Sequence, residues 1–459
     1  MSQLSSVRAD GSRLPIHPSD VHGRFITWRR VVFAFLMAIY LAAPLVKIGG
    51  HPAVHLDVAQ RRFFLLGVSF NAQDFWIVLF LATGFVFALL FITAWRGRLW
   101  CGWACPQTVF LEGLYRPIER FFDGPREKRL KLAGSPWTAG RLARLVGKQA
   151  TWLLISLLIS HAALSLFTSA QDLRLMVTDG PAAHPIAFGW AVAVTGLLHF
   201  NFTWFREQFC VVLCPYGRLQ SLLHERQSIV IGYDVARGEP RGHLRKEGPP
   251  IGDCIDCKLC VTACPTAIDI REGLQMECVA CAQCVDACDS VMDKIHKPRG
   301  LIRYARLSAL DGTGETGRVL RPRLLLSGGL ALAAFAALAL TVGQRRSFEA
   351  NVLRLAGVPW VTEGQRVRNQ FEVHVVNKAS GPAQLTVSVT SPVPAEIRIA
   401  EPVVQLQPFE DRRVQVVVTI DREQLRPALE LEVTVRDLAS ADQRVKALRF
   451  LSPAGGAVR

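Results

Sequence analysis

CIDCKLCVTACP, residues 254–265, sets four cysteines in the order Cys254-x2-Cys257-x2-Cys260-x3-Cys264-Pro265, and the order recurs as Cys278-x2-Cys281-x2-Cys284-x3-Cys288. This is the spacing of a bacterial ferredoxin with two 4Fe-4S clusters, in which the fourth Cys of each run ligates the other cluster. Cluster one then takes Cys254, Cys257, Cys260 and Cys288, and cluster two takes Cys278, Cys281, Cys284 and Cys264. A cubane cluster needs soft thiolates at four corners, and two-residue gaps let one loop wrap three of them. The crossed fourth ligand brings the clusters close enough to exchange electrons. Structural zinc also uses Cys-x2-Cys, but it does not explain eight Cys in two such runs. The second run ends in Asp289 where the pattern has Pro, which alters the turn and removes no ligand.

Outward from this segment the chain is apolar. Of its 459 residues half are hydrophobic and only 20% charged, which excludes a mainly disordered chain and points to membrane segments. Five runs approach the length of a bilayer-crossing helix: Val31 to Val46, Phe75 to Trp95, Thr151 to Ala170, Pro185 to Phe205, and Leu324 to Val342. The first is short, with Arg30 and Lys47 at its ends to reach the two interfaces. The net charge of +15 is assigned to cytoplasmic loops rather than to nucleic-acid binding. Arg24, Arg29 and Arg30 precede the first run, eight basic residues between Arg96 and Lys131 follow the second, and Arg318, Arg321 and Arg323 precede the fifth. The loops after runs one and three are poorer in charge. The N-terminus is therefore expected in the cytoplasm and the C-terminus outside, although Arg345 and Arg346 after the fifth run argue weakly against it. Twelve Cys in tight clusters, with no cleavable signal peptide expected, suit metal or redox chemistry better than a secreted disulfide scaffold.

The expected organisation is a multi-domain membrane protein. Residues 1–30 form a cytoplasmic segment, and 31–205 hold the first four spans with a cytoplasmic loop at 96–150. Residues 206–323 form a cytoplasmic domain with the ferredoxin-like module at about 250–300, and 324–342 are the fifth span. Residues 343–459 hold no Cys and alternate apolar with polar residues: Phe371, Val373, Val375; Leu385, Val387, Val389; Val414, Val416, Val418; Leu431, Val433, Val435. Asn377, Gly381, Pro392 and Pro394 separate these runs, so an all-β antiparallel sandwich of immunoglobulin-like type is predicted, on the periplasmic side.

The other four Cys form a second repeat, Cys101-x3-Cys105-Pro106 after the second run and Cys210-x3-Cys214-Pro215 after the fourth. If the helix continues, positions i and i+4 share a face and each pair makes a two-thiol claw, with Pro marking the break. The two pairs can meet as one four-thiol site. Three readings stand: a redox-active dithiol or copper site, a further iron–sulfur cluster, or small buried hydrophobes. His161 and His199 lie inside spans and can touch a quinone, haem or metal, or simply bond a backbone carbonyl. His51, His55 and Asp57 are read as a solvated outer loop with little copper affinity. Gly312-Thr-Gly314-Glu-Thr-Gly317 fits the dinucleotide spacing without its strand–turn–helix context, and is read as a tether.

Several longer strings carry a resemblance. WCGWACPQ at 100–107, IERFFDGPREKRLKL at 118–132, REQFCVVLCPYGR at 206–218, GYDVARGEPRG at 232–242 and CDSVMDKIHKPRGLIRYA at 288–305 resemble the cytochrome c oxidase accessory protein family CcoG, also called FixG or RdxA. The likeness runs from the first span to the fifth and thins over the sandwich, where NQFEVHVVNK at 369–378 looks familial. It implies a polyferredoxin of the bacterial inner membrane that serves biogenesis of the cbb-type haem–copper oxidase. The implied activity is reduction of Cu(II) to Cu(I) for copper insertion, with copper as substrate and Cys101, Cys105, Cys210 and Cys214 as the thiols that act. The implied partners are oxidase assembly factors or a copper transporter or chaperone, and an electron donor that the sequence does not name. Two other classes remain open at this level: a quinol-linked electron-transfer subunit, and a non-enzymatic assembly scaffold.

Overall fold

The computed structural model describes residues 15–58, 62–71, 74–223, 225, 227–243, 251–310, 321–355, 357–379, 381–426, 428–440 and 442–452. The Gly312 to Gly317 motif lies outside them. Two compact units result, Met1–Val46 with Val78–Leu338, and Lys47–Ile77 with Ala339–Arg459.

Five helices among the described residues are long and apolar enough to cross a membrane. The second, fourth and fifth are Phe75–Arg96, Pro185–Phe200 continued by a wider π-type turn Asn201–Phe205, and Pro322–Gly343. They follow the apolar runs closely. The first is Arg24–Ala42, which starts well before Val31. Nothing local announces that start, because Gly23 offers no capping side chain. The cap comes from far along the chain: the Asp286 carboxylate accepts from the N–H of Phe25 at 3.2 Å and of Ile26 at 2.8 Å. Two donors that a helix start leaves open are thus satisfied. Gly23 is required there, since a Cβ would lie 2.3 Å from Asp286 Cγ. Pro44 then disfavours continuation toward Val46. The third helix, Ala139–Leu164, also begins earlier than its apolar run. Its first turns carry Arg141, Arg144 and Lys148, so they are helical without being apolar. Thr138 caps it by accepting from Arg141 N at 3.2 Å, and Lys148 pairs with Asp123.

The ferredoxin-like segment is built on a repeat. Asp256 and Lys258 flank Cys257 with positive φ (53° and 56°), and Ala280 and Ala282 flank Cys281 in the same way (52° and 61°). Each loop then enters a helix, Leu259–Thr262 and Gln283–Lys294. The helices differ in length for the reason visible in sequence. Pro265 cannot continue the first, while Asp289 lets the second run on and accepts from Gly300 N at 2.9 Å. An antiparallel pair, Ile229–Tyr233 with Ile302–Arg306, closes the module.

In the other unit, one sheet runs Glu396–Ile399, Asp411–Asp421, Arg366–Asn377, Phe348–Arg354, with Val361–Glu363 also paired to Arg366–Asn377. The second runs Val403–Leu406, Ala383–Thr390, Glu430–Asp437, Gln443–Arg449. All pairings are antiparallel. The alternating residues named above form the core between the sheets, with Val389 only partly buried at its edge. This is the immunoglobulin-like sandwich. Three short strands, Val54–Asp57, Arg62–Leu65 and Val68–Asn71, pack with it. Asp74 binds Lys378 at 2.7 Å and Arg345 at 3.6 Å, which gives Arg345 a partner inside this unit.

Candidate redox centre

The eight Cys of the ferredoxin-like segment surround two small cavities in the arrangement the crossed spacing predicts. Cys254, Cys257, Cys260 and Cys288 line one, together with Arg271, Met292 and Tyr233. Cys264, Cys278, Cys281 and Cys284 line the other, and Cys260 reaches it as well. Among the described residues no three His, Cys, Asp or Glu stand as one metal ion would need. A zinc ion would gather sulfurs about 2.3 Å from one point. Thiols spread around a void fit a cubane cluster instead. Burial pushes the free thiols of Cys260, Cys278 and Cys288 up to about 12, because a thiolate there would lose its water. Nearby cations offset that loss in part: Arg271 faces Cys260, Arg98 faces Cys278 and Arg29 faces Cys281.

The membrane-edge Cys also come together, but not as continuous-helix claws. The second apolar helix stops at Gly97, with φ 56°, and the fourth at Arg206, with φ 48°, each four residues before the first Cys of its pair. Cys101 sits in the short helix Leu99–Trp103 and Cys210 in the π-type turn Phe209–Leu213. Cys105 and Cys214 are extended, with ψ 128° and 112°. Pro106 and Pro215 do not follow a helix; each begins the next, Pro106–Phe110 and Pro215–Leu223. Pro suits that first position, where its missing N–H costs nothing. The four thiols lie within electrostatic reach of one another. Burial, then the charges of Cys105, Cys101 and Cys214, push the Cys210 thiol up to about 12. Burial also raises Cys105, against the N–H groups of Gln107 and Thr108.

This site abuts the ferredoxin-like module. Cys101 packs against Cys281 and Val279, with Tyr216 beside them. A Cβ on Gly102 would lie 2.4 Å from the Val279 carbonyl oxygen, so only Gly allows the approach. Tyr304 donates to Ala280 O at 2.7 Å and accepts from Trp103 Nε1 at 3.2 Å, a second tie between the two loops.

Buried charges, among them Arg206 just before the second Cys pair, hold these pieces. Arg116 pairs with Glu112 and, at 3.4 Å, with Glu207, and donates to Pro265 O at 3.1 Å. Arg206 pairs with Glu119 at 2.9 Å. Burial alone would raise both Glu112 and Glu119, but Arg116 and Arg206 hold them below their ordinary values. Gln107 donates to Arg206 O at 2.9 Å and accepts from Asn201 Nδ2 at 2.7 Å, joining the two Cys-x3-Cys-Pro repeats. The faint signal was a charge beside each motif: Arg98, Arg116, Arg206 and Glu207.

The weaker candidates stand apart. His161 Nδ1 lies 2.8 Å from Leu157 O in its own helix, and His199 Nδ1 is buried without a partner. His51 and His55 are not a solvated loop: their rings stack on Phe64 at 4.3 and 6.0 Å.

Comparison with known proteins agrees with this arrangement. A family profile described as a 4Fe-4S dicluster domain matches residues 205–307, and one described as a 4Fe-4S binding domain matches 76–125. A third, the IG-like fold at the C-terminal of FixG, matches 338–453. Protein RdxB of Cereibacter sphaeroides is 36% identical over 85% of this chain and 84% of its own length. The nitrogen fixation protein FixG of Rhizobium meliloti is 33% identical over 82% of this chain and 79% of its own. The chain belongs to the FixG/RdxA family. A solved FixG-related protein from Vibrio parahaemolyticus is 15% identical over 24% of this chain and 99% of that one, at a TM-score of 0.21. As a FixG/RdxA member with this fold, the chain is a membrane iron–sulfur redox protein.

Proposed function

We propose that this FixG/RdxA protein passes electrons to Cu(II) at Cys101, Cys105, Cys210 and Cys214, delivering Cu(I) for assembly of a cbb-type oxidase. The observation that carries this reading is the packing of Cys101, a member of the four-thiol site, directly on Cys281 of the second ferredoxin cavity. Cys254, Cys257, Cys260 and Cys288 would hold one 4Fe-4S cluster, and Cys264, Cys278, Cys281 and Cys284 the other. Such clusters supply single electrons at potentials that can lie well below that of copper. Cys260 lines both cavities and Cys101 packs on Cys281 of the second, so the chain's own thiols bring the three sites into sequence. Each electron converts one Cu(II) to one Cu(I), with no bond made or broken in the protein. Soft thiolates favour the product, and the cation of Arg98 beside Cys210 favours their ionised form.

The orientation read from the loops, N-terminus in the cytoplasm and C-terminus outside, is supported by the joining of 47–77 and 339–459 in one unit. Both segments would then lie on the outer side. A second reading has its own support: residues 76–125 match a 4Fe-4S binding profile, and they contain only two Cys, Cys101 and Cys105. The four edge thiols would then hold a third cluster. Cys105→Ser and Cys214→Ser separate the readings. Cu(II) reduction lost with iron and sulfide unchanged supports the copper site. A fall of one cluster's worth of iron supports the third cluster. Normal values of both sink each reading.

A further inference from the structure

We infer that a cavity at the foot of the third membrane helix, Ala139–Leu164, holds the phosphate of an anionic membrane phospholipid. No cysteine lines it, so the inference stands or falls apart from the copper reading. The cavity measures about 180 Å³. That is room for a phosphate and its ester arms, while the acyl chains stay outside. Arg141, Leu145 and Lys148 recur at helical spacing along one face of the helix and form one wall. Arg129, from the helix Arg126–Gly134, and Trp137 extend the lining. Glu119 and Asp123 bring carboxylates to it.

The charges of the lining select an anion. Asp123 is taken by Lys148, and Glu119 by Arg206 at 2.9 Å, a residue outside the lining. Arg129 and Arg141 are left with no carboxylate of their own among the described residues. Arg129 is 3% exposed, and the opposite charges that act on it, Glu119 and Asp20, are committed to Arg206 and, at 2.8 Å, to Arg120. Burial pushes its guanidinium below its ordinary value in spite of them, as for a cation short of counter-charge. Its Nη2 donates to Pro18 O at 2.8 Å, so the group cannot swing out to solvent. Arg141 donates to Ser135 O and lies over the Trp137 ring at 4.4 Å, which fixes the second guanidinium. Two held guanidinium groups suit the oxygens of a phosphate, which accept their paired N–H donors.

The surroundings select a lipid over a free phosphate. On the next stripe of the same helix Leu142 and Val146 are exposed, and Leu153, Leu154 and Leu158 continue that apolar surface along the span. Trp137 in the cavity wall is 69% exposed. Phe121, on the helix Arg116–Asp123 that packs against this one, is 83% exposed. Open aromatic rings at the end of a membrane helix mark the level of the lipid headgroups. A phosphate in the cavity therefore has its acyl chains beside an apolar face.

The test titrates the full protein in detergent, its visible iron–sulfur absorption intact, with phosphatidylglycerol, phosphatidylcholine or inorganic phosphate, and counts bound lipid by native mass spectrometry. Wild-type protein is expected to take one phosphatidylglycerol at least about tenfold more tightly than phosphatidylcholine, whose choline cancels the phosphate charge. Arg141→Gln should weaken phosphatidylglycerol at least about tenfold, the effect of losing one charge-assisted partner. Arg144→Gln removes the same charge from an exposed position of the same helix outside the cavity, and should leave the affinity at the wild-type value. Arg129→Met should behave as Arg141→Gln does; if it fails to fold, the half-buried Arg141 decides the matter. Equal affinity for the two lipids overturns the inference, as does Arg141→Gln binding like wild type, or Arg144→Gln losing as much as Arg141→Gln. Inorganic phosphate that displaces phosphatidylglycerol at equal concentration assigns the cavity to a free anion and overturns the lipid.

Discussion

Gly102→Ala tests whether contact between the edge thiols and the ferredoxin-like module is the working connection. The added Cβ would stand 2.4 Å from Val279 O and 3.0 Å from the Ala280 carbonyl, both backbone atoms that no rotamer change can move aside. Ordinary contact begins at 3.4 Å, so the loop carrying Cys101 must retreat by about 1 Å. Overpacking of this kind costs about 1–3 kcal/mol, too little to unfold a protein whose other contacts are intact. The step is electron transfer with no bond made, so a retreat of about 1 Å weakens the electronic coupling between the two loops without abolishing it. We therefore expect full iron and sulfide content and a Cu(II) reduction rate lowered severalfold. The assay is stopped-flow mixing of dithionite-reduced protein with Cu(II) and a Cu(I) chelator. Gly196→Ala is the control, because its Cβ would meet nothing within 4 Å. A Gly102→Ala protein that reduces copper at the wild-type rate refutes the connection. One that loses a cluster's worth of iron refutes it too, since the damage would then lie in the cluster loop.

Three further outcomes are expected. Protein purified without oxygen should carry iron and inorganic sulfide for two clusters, with Cys257→Ser and Cys281→Ser each damaging one; stoichiometric zinc without sulfide would contradict the assignment. Asp286→Ala should weaken the cap on Phe25 and Ile26 by about 0.5–2 kcal/mol, read as earlier proteolysis near residue 23 under limited digestion, and unaltered digestion would deny that role. A reporter fused after Arg459 should be active outside the cytoplasm and one inserted at Gly242 inside it; the same side for both would break the five-span order.

The parts legible in the sequence are those fixed by local pattern. Cysteine spacing alone gave the two cavities, because ligands held by one loop must be neighbours in the chain. The alternation at Phe371, Val373 and Val375 marked the sandwich core, because each sheet face is set by a period of two. What stayed hidden is set by distant partners. The first helix starts at Arg24 because Asp286 caps it, and no window around Arg24 contains that carboxylate. The Cys-x3-Cys pairs looked helical because i and i+4 share a face, but Gly97 and Arg206 break the backbone first. A left-handed Gly can be suspected from sequence; a left-handed Arg cannot.

The basic residues show why charge counts alone mislead here. Arg29, Arg98, Arg116 and Arg129 all contribute to the positive bias read from the loops, yet all four are buried, as is Arg206. A buried guanidinium is expensive unless something neutralises or bonds it. Arg116 and Arg206 have carboxylates. Arg29 and Arg98 also donate to backbone carbonyls, those of Gly102 and Met276, in the loops that carry Cys101 and Cys278. Their charge faces thiols that burial keeps protonated when free. Thiolates holding iron there would add anionic partners to these cations, and Glu112 already stands beside Arg29. The first cavity has a cation of its own, Arg271 beside Cys260, so buried arginines border both cavities. The buried arginines near the membrane therefore say less about orientation than about how the cysteine loops are held together.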